Sequence, residues 1–345
     1  MEYFAGIDVS LKESAVCVVD QTGNIIRETK VLSEPNALIA WFANAGVSFV
    51  RIGLEAGPLL SQWLYAALLQ AGFPIELLET RRVKAALEAM PVKTDRNDAR
   101  GIAQLVRIGW FRPVHCKSIP AQEKRTLLTA RSLLVSKLLD VKNCIHGTLR
   151  GYGIKVGEVS RRKFPIRVRE LVADHPTLVT IIDALLKVQE VLEAELQKLH
   201  KQVISLVRSD AKARLLMTTP GVGPIVALTF TSAIDDPGRF KSSKDVGPHF
   251  GLTPKKYQSG ETDITGRISK KGDRSVRCAL FEAANVILTR PIRGCTELKS
   301  WAMKLSKRAG MRKAKVALAR KLAVILHRML TDGTPFKSAE KKAMA

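Results

Sequence analysis

The chain has few cysteines and few histidines, and neither kind clusters. Its five cysteines are scattered, odd in number and without CxxC spacing, which argues against a disulfide framework and is typical of reduced, structural thiols. The six histidines are equally dispersed, with no HxxxH pair and no Cys/His group. This pattern argues against zinc. We therefore expect any metal ion to sit on oxygen ligands.

Long apolar runs are also missing. No stretch approaches the length of a membrane span, and the N-terminus lacks a basic region followed by an apolar one. The chain nevertheless has 345 residues, of which 46% are apolar, enough for two or three domains with real cores. We expect a cytoplasmic, prokaryotic protein without a membrane partner.

Acidic residues are scarce relative to basic ones. Fifty-six lysines and arginines oppose thirty-two acids, which gives a formal net charge of +24. Such an excess favours a polyanionic partner. Nucleic acid is the first candidate and an anionic membrane surface a weaker one, so we expect association with the nucleoid when the protein is bound to DNA.

Short strand-like runs near the N-terminus predict a sheet. Three of them, separated by tight polar connections, form the pattern of an antiparallel β-meander, and two more each follow a predicted helix. The predicted strands are 3–9, 14–19, 24–32, 49–54 and 75–78, and the predicted helices are 36–45, 59–70, 81–88 and one beginning near residue 95. A meander followed by alternating helices and strands is the order of an RNase H-like fold.

Four acids occupy the places where that fold carries its functional carboxylates. Asp8 ends the first strand, Glu55 follows the fourth, and Asp95 and Asp98 lie one turn apart at the start of a later helix. Clustered carboxylates repel one another unless cations neutralise them, and hard oxygen ligands suit Mg²⁺ or Mn²⁺. Two such ions about 4 Å apart can activate a nucleophile and stabilise the leaving oxygen of a phosphodiester.

Other interpretations of these acids stay open. Thr94 and Asp95 are also suitable residues to cap a surface helix. The run from Gly6 to Ser10, followed by Asp20, resembles the first phosphate loop of actin-like ATPases and sugar kinases. No second DxG loop and no glycine-rich adenosine motif follow, and the positive charge favours nucleic acid over a free nucleotide.

Two long apolar periodicities predict a pair of helices in the middle of the chain, at 121–149 and 177–207. The second carries a heptad-like seam. A basic, glycine-containing connection joins the two helices, which we expect to pair antiparallel. An internal hairpin that separates domains and a dimerisation coiled coil are both compatible with this pattern.

A tight turn with the sequence PGVGP, residues 220–224, separates two further helical runs. It resembles a helix-hairpin-helix, in which exposed backbone N–H groups at a helix N-terminus hold a phosphate. Gly221 and Gly223 would form that turn. A plain helix–helix turn is the alternative.

Basic residues dominate the C-terminal part. Residues 255–277 hold seven lysines or arginines and three acids, and we predict a polar loop there, followed by a helix at 275–288. Residues 299–321 hold nine lysines or arginines and no acid, in a helix with one buried face that leaves a basic face for phosphate or for solvent.

The motifs together resemble one known family, the DEDD-type insertion-sequence transposases with a serine-bearing C-terminal domain. This family, numbered one hundred and ten among insertion sequences, includes the eleven-eleven subgroup and the pilin-gene invertase Piv. The resemblance extends from Gly6 to about Leu330. It rests on the acid set, the long helical segment, PGVGP, and the runs GLTPKKYQSG and GRISKKGDR.

The resemblance implies an α/β plus α architecture. The predicted parts are a RuvC-like DEDD domain (1–118), a helical coiled-coil spacer (119–208), a mainly helical serine-bearing transposase domain (209–330) and a flexible tail (331–345). It also implies that Asp8, Glu55, Asp95 and Asp98 bind Mg²⁺ and that Ser259 is a nucleophile. Chemistry alone does not distinguish Ser259 from the serines at 232, 242, 243, 269 and 275.

The implied activity is strand cleavage by Ser259, through a covalent phosphoserine, followed by strand exchange and religation. The implied partners are DNA, a structured guide RNA from the element, and further copies of the chain in a dimer or tetramer whose protomers share active sites. We expect nucleic acid to contact Lys255, Lys256, Arg267, Lys270, Lys271 and Arg274, as well as the two glycines of the turn.

Two other functions are compatible with parts of the sequence. A RuvC-like junction resolvase would hydrolyse DNA with metal-bound water and leave Ser259 without a covalent role. A non-enzymatic nucleic-acid scaffold would use the acids only as helix caps. The first predicts cleavage without a protein–DNA adduct, and the second predicts no dependence on Asp8 or Glu55.

Overall fold

A five-stranded sheet forms the centre of the N-terminal part. In the computed structural model, which describes residues 1–57, 60–88 and 92–337, the strands are β1 (Tyr3–Asp8), β2 (Glu13–Asp20), β3 (Ile25–Leu32), β4 (Phe49–Glu55) and β5 (Ile75–Leu78). Their order is β3-β2-β1-β4-β5. The first three pair antiparallel, whereas β4 runs parallel to β1 and β5 parallel to β4. This is the predicted RNase H-like order.

Helices cover both faces of the sheet. Alternate strand residues point to opposite faces, so Ile7 and Leu54 belong to a core with α1 (Pro35–Ala43) and α2 (Ser61–Gln70). Phe4 and Cys17 belong to a second core with α3 (Thr80–Leu87) and α4 (Asp95–Arg107). The predicted start of the second helix at Leu59 lies outside the described residues.

Glycines allow α4 to lie directly against the sheet. A Cβ atom on Gly6 would stand 2.2 Å from the carbonyl oxygen of Ala99 and 2.3 Å from the backbone nitrogen of Ala103. A Cβ atom on Gly53 would meet Val106 Cγ1 at 2.5 Å. The close approach of α4 to β1 and β4 therefore depends on the missing side chains.

The chain from Ser118 onward forms a separate compact unit. It begins with α5 (Ile119–Gly151) and α7 (Pro176–Ser209), a helical pair. Lys124 Nζ lies 2.7 Å from Asp210 Oδ2 at one end, and Lys142 Nζ lies 3.2 Å from Glu193 Oε1 nearer the other. The pair is thus antiparallel within the chain, as predicted. The division of this unit at residue 208, and a coiled-coil role for the pair, stay predictions.

The connection between the long helices contains a helix that the sequence analysis missed. Helix α6 (Phe164–Val172) buries Phe164, Val168 and Val172, which recur every four residues, in a core with the facing ends of α5 and α7. The basic residues between these apolar positions concealed the period. They lie on the outer side of a short amphipathic helix.

The C-terminal part is mainly helical around one large core. Its helices are α8 (Ala211–Met217), α9 (Pro224–Ile234), α10 (Val246–His249), α11 (Arg274–Thr289), α12 (Thr296–Ala309) and α13 (Met311–Asp332). The basic segment 299–321 is divided between α12 and α13 by Gly310, which has φ of +86°. The buried face predicted for its second half is present on α13.

Two other predictions about this part need correction or limits. The predicted polar loop at 255–277 is wrong in its first half, which forms a two-stranded hairpin of β6 (Pro254–Ser259) and β7 (Thr262–Ile268). Thr331 and Asp332 of the predicted tail end α13, and residues 338–345 lie outside the described chain. Over the ranges that the structure describes, no helix is both long and apolar enough to span a membrane.

Candidate active site and nucleic-acid interface

The two strand-borne acids lie at the same edge of the sheet. Asp8 is the last residue of β1 and Glu55 the last residue of β4. The strands are parallel neighbours in which Ile7 pairs with Leu54, so both carboxylates emerge at their carboxyl ends. In open α/β sheets this edge is the usual place for a ligand site.

The other two acids stand in the first turn of α4. Thr94 caps this helix, because its Oγ1 accepts a hydrogen bond from the Asn97 backbone N–H at 3.1 Å. The capping interpretation is therefore correct for Thr94. It leaves the carboxylates of Asp95 and Asp98 available, and the contact of α4 with Gly6 brings this turn to the end of β1.

The pKa of Asp8 records the proximity of all four acids. Burial raises it from 3.8 to about 6, and the negative charges of Asp98, Asp95 and Glu55 add to the effect, against a smaller opposite influence of Lys93. Each neighbour disfavours the ionised form of Asp8. The four carboxylates thus form one electrostatic cluster.

Burial and a neighbouring acid also raise the pKa of Glu55. Burial raises its pKa, the charge of Asp98 raises it further, and the nearby side chains of Thr80 and Lys93 lower it. Thr80 also donates from Oγ1 to the carbonyl oxygen of Ala56 at 2.8 Å. This threonine at the start of α3 therefore fixes the chain where Glu55 leaves its strand.

The donor chemistry of the cluster fits a hard divalent cation. Four carboxylates supply the oxygen ligands that Mg²⁺ and Mn²⁺ prefer, and a cation would relieve the repulsion that raises the pKa of Asp8. In the described part of the chain, however, no three His, Cys, Asp or Glu side chains are already arranged around a common point in metal-binding geometry.

Glu28 holds the acid-bearing end of α4, and the sequence analysis missed it. Arg96 Nε donates to Glu28 Oε2 at 2.7 Å, and Arg100 Nη2 donates to the same oxygen at 2.9 Å. Hydrogen bonds from Arg100 and Arg96 lower the pKa of Glu28 to about 2. Nothing in the sequence of β3 marks this glutamate as different from other polar strand residues.

Ser259 lies at the tip of the hairpin. It ends β6, pairs with Thr262 and precedes the two-residue turn Gly260-Glu261. Gly260 has φ of +54°, a conformation that glycine adopts without steric strain and that type II′ turns require at this position. The serine is exposed, and within the described residues its hydroxyl makes no hydrogen bond.

Four of the other candidate serines have hydroxyls engaged in local structure; that of Ser269 accepts a hydrogen bond from the Lys271 backbone N–H at 3.5 Å. Ser232 is buried and donates to the carbonyl oxygen of Thr229 at 3.3 Å. Ser242 caps a short 3₁₀ turn together with Asp245. Ser243 Oγ lies 2.9 Å from His327 Nδ1. These contacts support a structural role for each. Ser259 differs from all four in its free hydroxyl, and from Ser232, Ser243 and Ser269 also in its exposure.

The predicted basic contact residues are mostly unpaired. Lys256 Nζ lies 3.1 Å from Asp263 Oδ2, whereas the others make no ion pair with any described residue; these are Lys255, Arg267, Lys270, Lys271 and Arg274. All six surround the hairpin or the start of α11. Free cations of this kind favour phosphate.

The two glycines of the PGVGP turn differ from each other. Gly221 has φ of +82° and packs on α11, since a Cβ atom there would stand 2.9 Å from Ile287 Cγ1. Gly223 forms the N-cap of α9 and faces open space. Of the two, only Gly223 leaves room for a ligand, and a helix-hairpin-helix role for the turn stays a prediction.

Comparisons with known proteins agree with these features. A family model described as "Transposase" of the DEDD IS110 type matches residues 5–154, and a model described as "Transposase IS116/IS110/IS902 family" matches residues 213–294. The first range contains the four acids and the second contains Ser259.

Several curated relatives are similar over most of the chain. The transposase for insertion sequence element IS1111A of Coxiella burnetii is 27% identical over 94% of this chain and 89% of its own length. The transposase for IS1328 of Yersinia enterocolitica is 26% identical over 77% of this chain and 80% of its own length. The pilin gene-inverting protein of Moraxella bovis is 29% identical over 36% of this chain and 38% of its own.

Among solved structures, Thermus thermophilus RuvC in complex with a Holliday junction substrate is 16% identical, with a TM-score of 0.24, over 32% of this chain and 99% of that one. The fold of the N-terminal unit is defined by its own strand order.

The two family models match in chain order, the first over the acid cluster and the second over the serine hairpin. The chain belongs to the IS110 family of DEDD insertion-sequence transposases.

Proposed function

We propose that this transposase cleaves and rejoins DNA through a covalent bond between Ser259 and a DNA phosphate, with a divalent cation bound by Asp8, Glu55, Asp95 and Asp98. The observation that carries the proposal is the placement of the four acids: Asp8 and Glu55 end neighbouring parallel strands, and Asp95 and Asp98 stand in the first turn of the helix that packs on β1. Structural acids that only cap helices have no reason to converge from two strand ends and a helix.

The covalent step balances without another reactant. The Ser259 Oγ–P bond forms as one P–O ester bond to deoxyribose breaks, the serine hydroxyl loses its proton, and the departing sugar oxygen gains one. Attack of a second sugar hydroxyl on the phosphoserine reverses these changes and joins the exchanged strands. The energy of the ester bond is kept throughout, so no nucleotide cofactor is needed.

The exposed position of Ser259 suits this role. Its hydroxyl makes no hydrogen bond with any described residue, and five unpaired lysines and arginines surround the hairpin or the start of α11. Such cations bind the phosphates on either side of the attacked one and reduce its negative charge. Mg²⁺ or Mn²⁺, when bound, supplies further charge neutralisation at the reacting phosphate.

The cluster needs the four acids in their ionised forms to hold a cation. Asp8 is the most strongly affected, and Lys93 opposes the repulsion that it experiences. The backbone that follows Glu55 is fixed by Thr80, whose hydroxyl donates to the carbonyl oxygen of Ala56. Asp95 and Asp98 are placed by α4, whose first turn Glu28 fixes through two arginines.

The resemblance to the family supports three further parts of the proposal. The acids and the serine that act together come from different protomers of a dimer or tetramer. A structured RNA encoded by the element pairs with donor and target DNA. The PGVGP turn and the basic residues near the hairpin contact nucleic acid backbone.

The experiment is a denaturing gel for protein–DNA adducts with element-end DNA, Mg²⁺ and the candidate RNA. Wild-type protein is compared with Ser259→Ala, Asp8→Ala and the control Ser269→Ala, which removes a hydroxyl ten residues away in the same basic segment. We expect adduct with wild type and Ser269→Ala and none with the other two. Omitting the RNA, or omitting Mg²⁺, should abolish adduct formation by the wild-type protein.

The alternatives predict different gels. Cleavage without adduct that persists in Ser259→Ala would establish a resolvase-like hydrolase. Binding without cleavage, unaffected by Asp8→Ala, would establish a scaffold. Either result overturns the proposal.

A further inference from the structure

The β6–β7 hairpin has two chemically different faces. Paired residues of an antiparallel ladder point to the same side, and residues two apart on a strand do so as well. One face carries Lys256, Gln258, Asp263 and Thr265. On this face Lys256 Nζ and Gln258 Nε2 each lie 3.1 Å from Asp263 Oδ2. Its polar groups therefore satisfy one another.

The other face carries Ser259 and two large unpartnered side chains. Tyr257 pairs with Ile264 across the ladder, and their side chains are 64% and 60% exposed. Lys255 lies two residues farther along β6, at the register shift of the ladder between Pro254 and Lys256. Neither Tyr257 nor Ile264 belongs to any core of the described residues. The hairpin thus presents an aromatic ring, an aliphatic side chain and a cation beside the free serine hydroxyl.

The spacing relates this apolar pair to the reacting group. Residues two apart on a strand are separated by about 6.5 to 7 Å, which is about two nucleotide steps along a stacked strand. With a phosphate at Ser259, the base of a nucleotide within about two steps therefore lies in reach of Tyr257. Aromatic side chains stack on bases of any sequence once the bases are unstacked.

The composition of the face favours DNA over a protein partner. Two apolar side chains on a two-stranded ribbon cover far less than the roughly 800 Å² that each partner buries in a stable protein interface. Their neighbours are the unpaired Lys255 and, farther along the hairpin, Arg267, which suit phosphates. An aromatic residue among free cations is the combination that single-stranded nucleic acid prefers.

We propose that Tyr257, supported by Ile264, receives an unstacked base beside the phosphate that Ser259 attacks. This inference rests on the proposed function and deepens it, because it assigns the hairpin a second task. The hairpin positions its DNA through a base contact on the serine face while lysines on the flanks bind phosphate. Tyr257 is then a positioning residue.

The test is a double-mutant cycle between protein and DNA, measured as equilibrium binding in the Ser259→Ala background so that no covalent bond forms. Single abasic sites are placed at each nucleotide flanking the cleavage position. We expect Tyr257→Ala to weaken binding of intact DNA about 5- to 100-fold, the range for loss of one base–aromatic stack. One abasic position should weaken binding equally in otherwise unchanged protein and have no further effect in Tyr257→Ala.

Two variants control for damage to the hairpin. Tyr257→Phe keeps the ring and should bind as the parent does. Thr265→Ala alters the opposite face and should keep the full abasic effect. The inference is overturned if Tyr257→Ala binds intact DNA like the parent. It is also overturned if the affinity reductions caused by Tyr257→Ala and by the abasic site multiply at every position.

The binding cycle tests the base contact and the adduct gel tests the covalent mechanism, so each experiment can contradict its claim without the other. Coupling between Tyr257 and one base without any adduct in wild type would remove the covalent mechanism and keep the base contact. Adduct that forms at an unchanged rate in Tyr257→Ala would keep the mechanism and remove the base contact.

Discussion

The imidazole of His327 joins α13 to the loop before α10. Its Nδ1 atom lies 2.9 Å from Ser243 Oγ, and its Nε2 atom lies 3.2 Å from the carbonyl oxygen of Pro237. Because a carbonyl only accepts, Nε2 carries the proton and Nδ1 accepts from the serine hydroxyl. The residue is 2% exposed, so a neutral ring satisfies two buried or half-buried polar groups.

This arrangement predicts a pH dependence of stability. Burial lowers the pKa of His327 below 6.5, and the nearby Arg239 lowers it further while Asp245 opposes it. The unfolded chain therefore binds a proton at a higher pH than the folded chain does. The contribution of His327 is complete above pH 6.5 and is lost as the pH falls below that value.

The measurement is the free energy of unfolding by denaturant between about pH 8 and pH 5. His327→Phe should lower it at pH 8 by about 1–3 kcal/mol, because two polar partners lose their bonds. Its pH slope should be smaller than that of wild type. His200→Phe, at an exposed position of α7, should keep the wild-type slope; equal slopes in all three proteins would refute the assignment.

Gly6→Ala should disrupt the packing that brings α4 to β1. The new Cβ atom would stand 2.2 Å and 2.3 Å from backbone atoms of α4, and backbone cannot move aside as a flexible side chain can. We expect a loss of about 2–4 kcal/mol in unfolding free energy, at or above the usual range for overpacking. Adduct formation should fall with it.

The matched control is Gly147→Ala, in the interior of α5, where a Cβ atom meets nothing within 4 Å. Alanine there should stabilise the protein by about 0.5–1 kcal/mol. If both substitutions proved neutral, the close contact between β1 and α4 would be wrong.

Glu28→Gln should loosen the first turn of α4. The substitution removes the charge that Arg96 and Arg100 share, with an expected loss of about 1.5–3 kcal/mol at pH 7. Since the pKa of Glu28 is lowered from 4.5 to about 2, the difference from wild type should persist above pH 4.5 and shrink as the pH falls through about 2. Unfolding curves at several pH values measure it.

The control for Glu28→Gln is an exposed ion pair. Glu88→Gln breaks the pair between Lys84 and Glu88 on α3, whose side chains are 70% and 65% exposed, and should change stability by no more than about 0.5 kcal/mol. A loss in Glu28→Gln no larger than in this control would show that Glu28 does not hold α4.

Asp8→Asn should have opposite effects with and without metal. The pKa of Asp8 is raised from 3.8 to about 6, so its charge destabilises the metal-free fold fully above pH 6 and not at all below pH 3.8. That difference corresponds to at most about 3 kcal/mol, and screening reduces it to the order of 1 kcal/mol. Without metal at pH 7, the variant should therefore be more stable than wild type.

Addition of Mg²⁺ should reverse that order. Wild type should gain thermal stability with increasing Mg²⁺, and the gain should diminish as the pH is lowered through about 6, because protons compete for Asp8. Asp20→Asn serves as a control, since hydrogen bonds from Thr22 and Asn24 lower the pKa of Asp20 to about 2. This second variant should be less stable than wild type in metal-free buffer and should respond to Mg²⁺ as wild type does.

The sequence predicted the N-terminal sheet well because burial there leaves a strong pattern. Alternating and continuous apolar runs in β1, β2 and β4 mark strands, and Asp8 and Glu55 stand where those runs end. The position of α4 across the sheet depends on Gly6 and Gly53, whose importance appears only when the backbones are placed. The role of Glu28 depends on arginines some seventy residues away and has no local signal.

The hairpin escaped prediction for the opposite reason. Every residue of β6 is exposed, so no apolar alternation marks it. Within the described chain, β6 and β7 pair only with each other. A run such as Lys255 to Ser259 is then indistinguishable from a polar loop by composition. The assignment of Ser259 itself came from the resemblance of the whole motif set.

The exposure of the hairpin has a thermodynamic consequence. An isolated two-stranded ribbon is marginally stable in water, so the part of this hairpin beyond its stem opens more easily than the helical core does. Nucleic acid that binds only the closed ribbon has its apparent affinity reduced by the fraction of molecules that are open. The stability of the turn at Gly260 therefore contributes to how much of the intrinsic affinity the protein realises.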